Sequence, residues 1–429
     1  MNNINLQYKF YKMEEDMYKV KTLENGLTII GEEIPYVKSI SLGIWINAGS
    51  RMEDSKVSGV SHFIEHMMFK GTNKRTSKEI ASEIDNLGGQ INAFTSKECT
   101  CYYVKLLDEH IEIGLDILSD MILNSKFDEI DIDKERSIII EELKMYEDSP
   151  EDLAYDMLLE HIYDEDSLGM NILGTRESLE NIDKKQLLDY FNTYYVPNNA
   201  VISISGKFNF DNMVEKIENK FKDWNKKDVY IELNEAPFKP CIISKNKDTE
   251  QVNLVMNLKA VGIENDDEVY SLAVINNIFG GSISSRLFQK VREEKGLVYS
   301  IYSAQSLYRK CGELGIFASM SNENLEEVFE IIRSEIKNLR ENYLTEKEIN
   351  ESKEQLKGSY LLDLESTGSR MMSIGKSMLL VNKVKTTDEI LECINNVNFD
   401  SIKNVIDKVF NLNNIGVCIV GRDVENIKL

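Results

Sequence analysis

Histidine is scarce in this chain, with four in 429 residues. Such scarcity leaves little room for chance metal-binding clusters, so the placement of each imidazole carries weight. Long apolar runs are missing altogether. None approaches the ~18 residues of a membrane span, so no membrane segment is expected. The opening residues, Met1 to Lys9, have neither the apolar core of a signal peptide nor the arginines of a mitochondrial transit peptide, and the cytoplasm is the expected location. Basic residues are outnumbered, 50 against 73 acidic, for a net charge of −23. That balance excludes the basic footprint of a general nucleic-acid binder. It suits basic peptide substrates drawn to an acidic chamber, and it equally suits solubility alone. The six cysteines (Cys99, Cys101, Cys241, Cys311, Cys393 and Cys418) form no C-x-x-C pair and read as free thiols. Cys99 and Cys101 share one face of an expected strand, which leaves a metal or redox role open for them. Phosphate-binding loops are missing too: Gly280-Gly281 is not followed by lysine and a hydroxyl residue at the required spacing.

What is present begins with Ser61-His62-Phe63-Ile64-Glu65-His66-Met67. This is H-x-x-E-H, the reverse of the commoner H-E-x-x-H. Helical residues are offset by about 100°, so His62, Glu65 and His66 stand on one face. Two imidazoles one turn apart can grip a zinc ion, and the glutamate beside them is placed to act on a metal-bound water. A catalytic zinc site takes three protein ligands and keeps one position open, so a third donor is expected from another helix. The strongly helical run Asp133 to Asp148 contains Glu135 and Glu142, seven residues apart and on one face. Spacing alone does not choose Glu142 over Glu141.

With a glutamate 76 residues after His66, the chain resembles the pitrilysin family of inverted-motif zinc metallopeptidases. The resemblance implies zinc, one per chain, on His62, His66 and Glu142. It implies Glu65 as general base, and Glu135 as a residue orienting a histidine. The choice of Glu142 comes from matching Glu142-Leu143 to the family pattern.

Along the chain, residues 1–17 read as an N-terminal extension. Tyr18 to Glu33 reads as a hairpin around Glu24-Asn25-Gly26, and Ser39 to Asn47 as a strand. The motif helix is expected from about Ser58 to Phe69, stopped by Gly71. Thr76-Ser77-Lys78-Glu79 reads as a capping box. Strands are expected over Gln90 to Thr95 and Cys99 to Leu107. Helices follow over Asp108 to Ser125, Asp128 to Glu147, Glu151 to Tyr163 and Lys184 to Tyr195. In the resembling family the strand matching Asn92, Ala93, Phe94 and Thr95 is an exposed edge that binds the substrate backbone. An ordinary internal strand is the alternative.

The phrase Asn198 to Gly206 returns as Asn413 to Gly421, displaced by 215 residues, and Ser39 to Asn47 has a partner in Gln251 to Leu258. Two copies of one αβ domain are therefore expected. The fold class is α+β, with a mixed, largely antiparallel sheet packed with helices in each copy. The boundaries are a metallopeptidase domain over 18–225, a linker over 226–240 and a homologous domain without zinc ligands over 241–429. In the second copy the helix around Ala273 to Phe279 carries no histidine or glutamate.

Arg292 and Tyr299, seven residues apart, resemble the family's second motif, which contacts peptide near the scissile bond. A guanidinium and a phenol can steady a developing oxyanion. A surface ion pair for Arg292 and a core tyrosine are the alternative. The resemblance, of the processing-peptidase type, further implies half of a clamshell, closed by a second subunit around the peptide; a homodimer is expected, with a heterodimer as the alternative. The expected function is a zinc-dependent endopeptidase acting on peptides or unfolded segments, with no nucleic-acid or membrane partner. A non-catalytic subunit of the same fold, or a protein using zinc structurally, are the competing readings. The first would usually lack a ligand or the base, and the second would need a fourth ligand.

Overall fold

The computed structural model describes residues 17–424. The expected N-terminal extension lies, but for Met17, outside the described residues. The first half contains β1 (Lys19–Thr22), β2 (Thr28–Glu33), β3 (Ser39–Ile46), α1 (Val60–Met68), α2 (Ser77–Asp85), β4 (Gln90–Thr95), β5 (Thr100–Leu107) and α3 (Ile111–Asn124). It continues through α4 (Glu129–Asp148), α5 (Pro150–Ile162), α6 (Arg176–Asn181), α7 (Lys184–Tyr194), β6 (Ala200–Gly206) and α8 (Phe210–Phe221). No helix or strand occurs over residues 222–240. The second half contains β7 (Cys241–Asn246), β8 (Val252–Ala260), α9 (Asp266–Phe279), a π-helix (Phe288–Glu294), β9 (Val298–Leu307) and β10 (Gly312–Met320). It closes with α10 (Leu325–Asn342), α11 (Glu346–Asp363), α12 (Thr367–Val381), α13 (Thr387–Asn396), α14 (Phe399–Val409) and β11 (Ile415–Gly421).

The two halves repeat one topology. The first sheet runs β1-β2-β6-β3-β5-β4 and the second β7-β11-β8-β10-β9. In each, one pair is parallel, β2 with β6 and β7 with β11, and the remaining pairs are antiparallel. β4 and β9 therefore occupy equivalent ends of their sheets. Period-two patterning explains how each sheet is covered. Ile40, Leu42, Ile44 and Ile46 of β3 enter the core under α1, α3 and α8. The alternate residues face the other way: Ser41 meets Thr367, and Trp45 packs with Met371 and Ile374.

That second face holds a feature not legible in the sequence halves. The helix on it is α12, which belongs to the second half. Reciprocally, α5 of the first half packs on the second sheet, where Leu158, Leu159 and Ile162 join Val255, Cys418 and Val420. Each half thus lends a helix to the other. Polar ties accompany the exchange. Glu313 of β10 is fully buried and accepts hydrogen bonds from Tyr155 (3.0 Å), Tyr163 (2.8 Å) and Tyr308 (3.2 Å). Arg51 bonds Glu98 (2.7 Å) and the carbonyl of Asn234 (2.8 Å), pinning the linker.

Several boundaries differ from the sequence reading. The motif helix begins at Val60 rather than Ser58, because Gly59 adopts a left-handed φ of 92°. α9 begins at Asp266, seven residues ahead of the stretch read as helix. α6 was not expected; it is a single short turn held by its own Thr175 capping box.

The seat of α12 is tight. Trp45 lies across Gly375, and a Cβ there would sit 2.1 Å from the indole Nε1, which itself donates to Ser203 Oγ (2.8 Å). Gly375→Ala should therefore lower the unfolding midpoint. The helix-propensity gain of about 1 kcal/mol is outweighed by overpacking of about 1–3 kcal/mol. A midpoint that rises in thermal unfolding would show that α12 is seated less tightly than this.

Candidate metal centre and active site

α1 is a nine-residue helix whose N-cap, Gly59, has no side chain to satisfy the first amides. The missing cap comes from Glu53, buried six residues upstream. Its carboxylate accepts from Gly59 N (2.7 Å), Ser61 N (2.8 Å) and the Ser61 hydroxyl. Burial pushes the Glu53 carboxyl up to about 7, against the pull of those hydrogen bonds. Glu53 went unnoticed in the sequence; an acid six residues before a glycine carries no recognisable cap signature.

The face of α1 opposite its core residues carries His62, Glu65 and His66. α4 crosses it and brings Glu142 in. Glu142 Oε2 lies 3.8 Å from His62 Nε2 and 3.5 Å from His66 Nε2, and the three candidate donor atoms all fall within 4.8 Å of one another. Glu141 points away and pairs with Lys144 on the exposed side. Zinc bonds of about 2.0–2.2 Å in a tetrahedron put donors roughly 3.3–3.5 Å apart. Two imidazole nitrogens and a carboxylate at this spacing fit such an ion with small adjustment. Among the described residues no fourth histidine, cysteine or carboxylate joins the group, so the donor set leaves a position open.

The electrostatics suit metal binding. Burial, with His66 adding to it, pushes His62 down to about 4, so its imidazole is neutral and carries a lone pair near neutrality. Burial also opposes protonation of His66, but hydrogen bonds to Glu142 and Glu135 outweigh it and raise its pKa. His66 Nδ1 lies 3.1 Å from Glu135 Oε2, which fixes the ring and leaves Nε2 facing Glu142. The other oxygen of buried Glu135 meets Lys70 Nζ at 2.7 Å. Lys70, also unremarked in the sequence, supplies the counter-charge that a buried carboxylate needs. Glu65 is raised mainly by burial, and its Oε2 accepts from Thr95 Oγ1 at 2.5 Å.

Thr95 ends β4, which pairs only with β5 and so presents an open edge beside α1. Along it Asn92 is exposed, Ala93 packs on the core and Phe94 stands edge-on to Trp45 at 5.7 Å. Arg292 and Tyr299 lie together. The Arg292 guanidinium sits 4.8 Å from the Phe288 ring and 5.9 Å from the Tyr299 ring. Both stand on unusual backbone. Arg292 belongs to the π-helix, and Tyr299 is the extra residue of a bulge, since Val298 pairs with Met320 and Ser300 with Ser319. Tyr299 is 75% exposed and no carboxylate pairs with Arg292 among the described residues, so neither the core-tyrosine nor the ion-pair alternative describes them. No hydrogen bond, ion pair or ring contact joins them to His62, Glu65, His66 or Glu142 among the described residues. His161 is exposed and bonds its own helix, and His110 neighbours Glu109, both apart from the centre. All six cysteines are free, and burial raises the thiol pKa of Cys99 and Cys101, which leaves them inert.

Beside Glu142, a cavity of about 470 Å³ opens between α4 and α5. Leu143 and Tyr146 line it together with five acids, Glu147, Asp156, Glu160, Asp164 and Asp166, and two bases, Arg176 and Lys245.

A two-lobed chain with an inverted histidine motif and a carboxylate third donor falls in the zinc-peptidase class. Residues 28–176 match the family described as Insulinase (Peptidase family M16), and residues 181–356 match the one described as Peptidase M16 inactive domain. The chain belongs to this insulinase, or pitrilysin, family of peptidases. It is 43% identical over 394 residues to the uncharacterised zinc protease YmxG of Bacillus subtilis, covering 92% of this chain and 96% of that protein. It is 35% identical over 398 residues to an uncharacterised zinc protease of Rickettsia felis, again covering 92% and 96%. In fold it is similar to a protease from Helicobacter pylori, with a TM-score of 0.89 and 19% identity over 94% of this chain and 99% of that one. A peptidase M16 inactive domain from Pseudomonas fluorescens aligns with a TM-score of 0.89 and 18% identity, over 96% and 99%. No helix among the described residues is long and apolar enough to cross a membrane.

Asp156, which accepts from Asn171 (2.7 Å), is pushed up to about 6, mainly by burial. A carboxyl raised in the folded state contributes stability below its unfolded pKa of about 3.8, and that contribution is lost as pH rises through about 6. Asp156→Asn should therefore stabilise the protein at pH 8 relative to pH 4, by up to about 2–3 kcal/mol. Paired denaturation curves at the two pH values check the sign; an equal effect at both would remove Asp156 from the pH response.

Proposed function

We propose that the protein is a zinc-dependent endopeptidase in which Glu65 is the general base. One observation carries this reading: His62, His66 and Glu142 converge, with Glu65 beside them and no fourth donor among the described residues. Zinc held there by the two imidazoles and the carboxylate would supply a Lewis acid for the scissile carbonyl and lower the pKa of water towards about 7. The chain's own residues do the rest. Glu65 Oε1 takes the proton from the attacking water and later gives it to the leaving nitrogen. Glu135, backed by Lys70, holds the His66 ring. The open edge of β4, Asn92 to Thr95, receives the substrate backbone as an added strand, which is tolerant of sequence and excludes folded chains. The cavity between α4 and α5, where five acids outnumber Arg176 and Lys245, offers a place for a basic side chain of that peptide.

Arg292 and Tyr299 are proposed as donors to the developing oxyanion, delivered by a second copy of the chain in a homodimer. Among the described residues of one chain they make no hydrogen bond, ion pair or ring contact with the metal-centre residues, which supports delivery in trans, as does the exposure of Tyr299.

Cleavage of a mixed peptide library, read by mass spectrometry, tests the enzyme reading. Wild type should cut and stop on chelation, and Glu65→Gln should lose about 10²–10⁴-fold in kcat while retaining zinc. Zinc-loaded wild type that cuts nothing would favour the non-catalytic subunit instead. Delivery in trans has its own check. Glu65→Gln and Arg292→Ala, each inactive alone, should on mixing recover about a quarter of wild-type activity, since half of the dimers hold one complete site. No recovery in demonstrably mixed dimers would place Arg292 in cis or outside the site.

A further inference from the structure

Glu65 has two carboxylate oxygens, and they are not equivalent here. Oε2 accepts from Thr95 Oγ1 at 2.5 Å, while Oε1 has no hydrogen-bond partner among the described residues. We infer that Thr95 is a positioning residue for Glu65, holding Oε2 so that Oε1 alone faces the reacting water, and fixing the base to the same strand that receives the substrate. This rests on the reading of Glu65 as the general base.

The geometry has three parts. A glutamate's terminal torsion is broad and roughly two-fold, so an unheld carboxylate in mid-helix samples many orientations. A charge-assisted hydroxyl bond at one oxygen removes that freedom. The hydroxyl can do so because its own backbone is fixed. Thr95 pairs with Thr100 of β5, and Thr100 Oγ1 donates to the carbonyl of Ala48 (2.9 Å). The turn that follows is closed by Ser96 N donating to Cys99 O (2.8 Å), and Ser50 N donates to Ser96 O (3.2 Å). That last bond attaches the strand end to the loop bearing Glu53, the cap of α1. Thr95 is β-branched, with few χ1 states to lose. A peptide added along β4 takes its register from the strand that ends at Thr95. The scissile carbonyl and the base are thereby referred to one rigid element, which matters because a misplacement of about 1 Å costs on the order of 10²-fold in rate.

A purely substrate-binding role for Thr95, or a merely structural one, makes different predictions. Thr95→Val is close to isosteric and removes only the donor. It should lower kcat by about 10–100-fold with KM within about two-fold, and Thr95→Ser should restore kcat to within about three-fold. In a Glu65→Gln background Thr95→Val should cause little further loss, because the two residues act as one unit. Zinc affinity, measured by competition with a chromogenic chelator, should not change with Thr95→Val. A rise in KM with kcat unchanged would overturn the inference in favour of strand binding. Multiplicative losses in the double variant, a Ser variant as poor as Val, or weakened zinc binding would overturn it as well. Full activity in Glu65→Gln alone would instead remove the general-base reading, whatever Thr95 does, so the two failures are separable.

Discussion

A nine-residue helix that carries two imidazoles and a carboxylate toward the protein interior cannot satisfy itself. That constraint organises the first half. Its amide end is capped by Glu53 from the preceding loop, since Gly59 has nothing to offer. His66 is held by Glu135 of α4, whose own burial demands Lys70. Glu142 fills the space between the two rings, and Glu65 is tied to the end of β4. Glu53 comes from the preceding loop, Glu135 and Glu142 from α4 and Thr95 from β4, so the polar face of α1 fixes the relative placement of the loop, α4 and the edge strand. Buried ionic groups are weak contributors to net stability, and leaving any of these unpaired costs several kcal/mol. The arrangement is therefore specified more by the penalty of disorder than by the gain of order.

The second half shows what remains when the ligands are gone. Its five strands repeat the order of β2-β6-β3-β5-β4, with the same single parallel pair and no counterpart of β1 among the described residues. α9 occupies the place of α1 and α11 that of α4. Where His66 meets Glu135 in the first half, Asn277 donates to Ser352 Oγ at 2.9 Å in the second. A neutral amide–hydroxyl tie keeps the helix crossing without a buried charge or a metal. This half instead contributes Arg292 on a π-helix and Tyr299 on a bulge, both departures from regular geometry at the sheet end equivalent to β4. Local irregularity of this kind re-aims side chains, and it is concentrated where the repeat has lost its imidazoles.

How much of this was legible follows from the range of the interactions. The spacing of His62, Glu65 and His66 is a local helical pattern, and the 215-residue echo between Asn198 and Asn413 needs only comparison of the chain with itself. Both are visible without coordinates. The choice between Glu141 and Glu142 needed either a family pattern or the actual crossing of α1 and α4. Glu53, Lys70 and the Thr95–Glu65 bond join residues 6 to 65 positions apart through side chains common on any surface, so no periodicity marks them. The bulge at Tyr299 depends on register, which a single strand sequence does not contain. The exchange of α5 and α12 was hidden for another reason: both helices are only weakly amphipathic, and pattern does not say whose sheet a helix covers.

That exchange bears on how a substrate could be enclosed. Opening a chain between its halves would withdraw α5 from one sheet and α12 from the other. It would expose Trp45, Met371 and Leu158 and strip Glu313 of the Tyr155 and Tyr163 hydroxyls. Each large apolar side chain exposed costs about 1.5–3 kcal/mol, and a bared buried carboxylate costs more. The packing of the two halves therefore opposes their separation, and the linker pinned by Arg51 adds to this. In the proposed homodimer, a second copy of the chain would bring to β4 its exposed Tyr299 and an Arg292 that has no carboxylate partner among the described residues. The interlock of the two halves is thus the physical argument behind the proposal that Arg292 and Tyr299 act from a second copy of the chain.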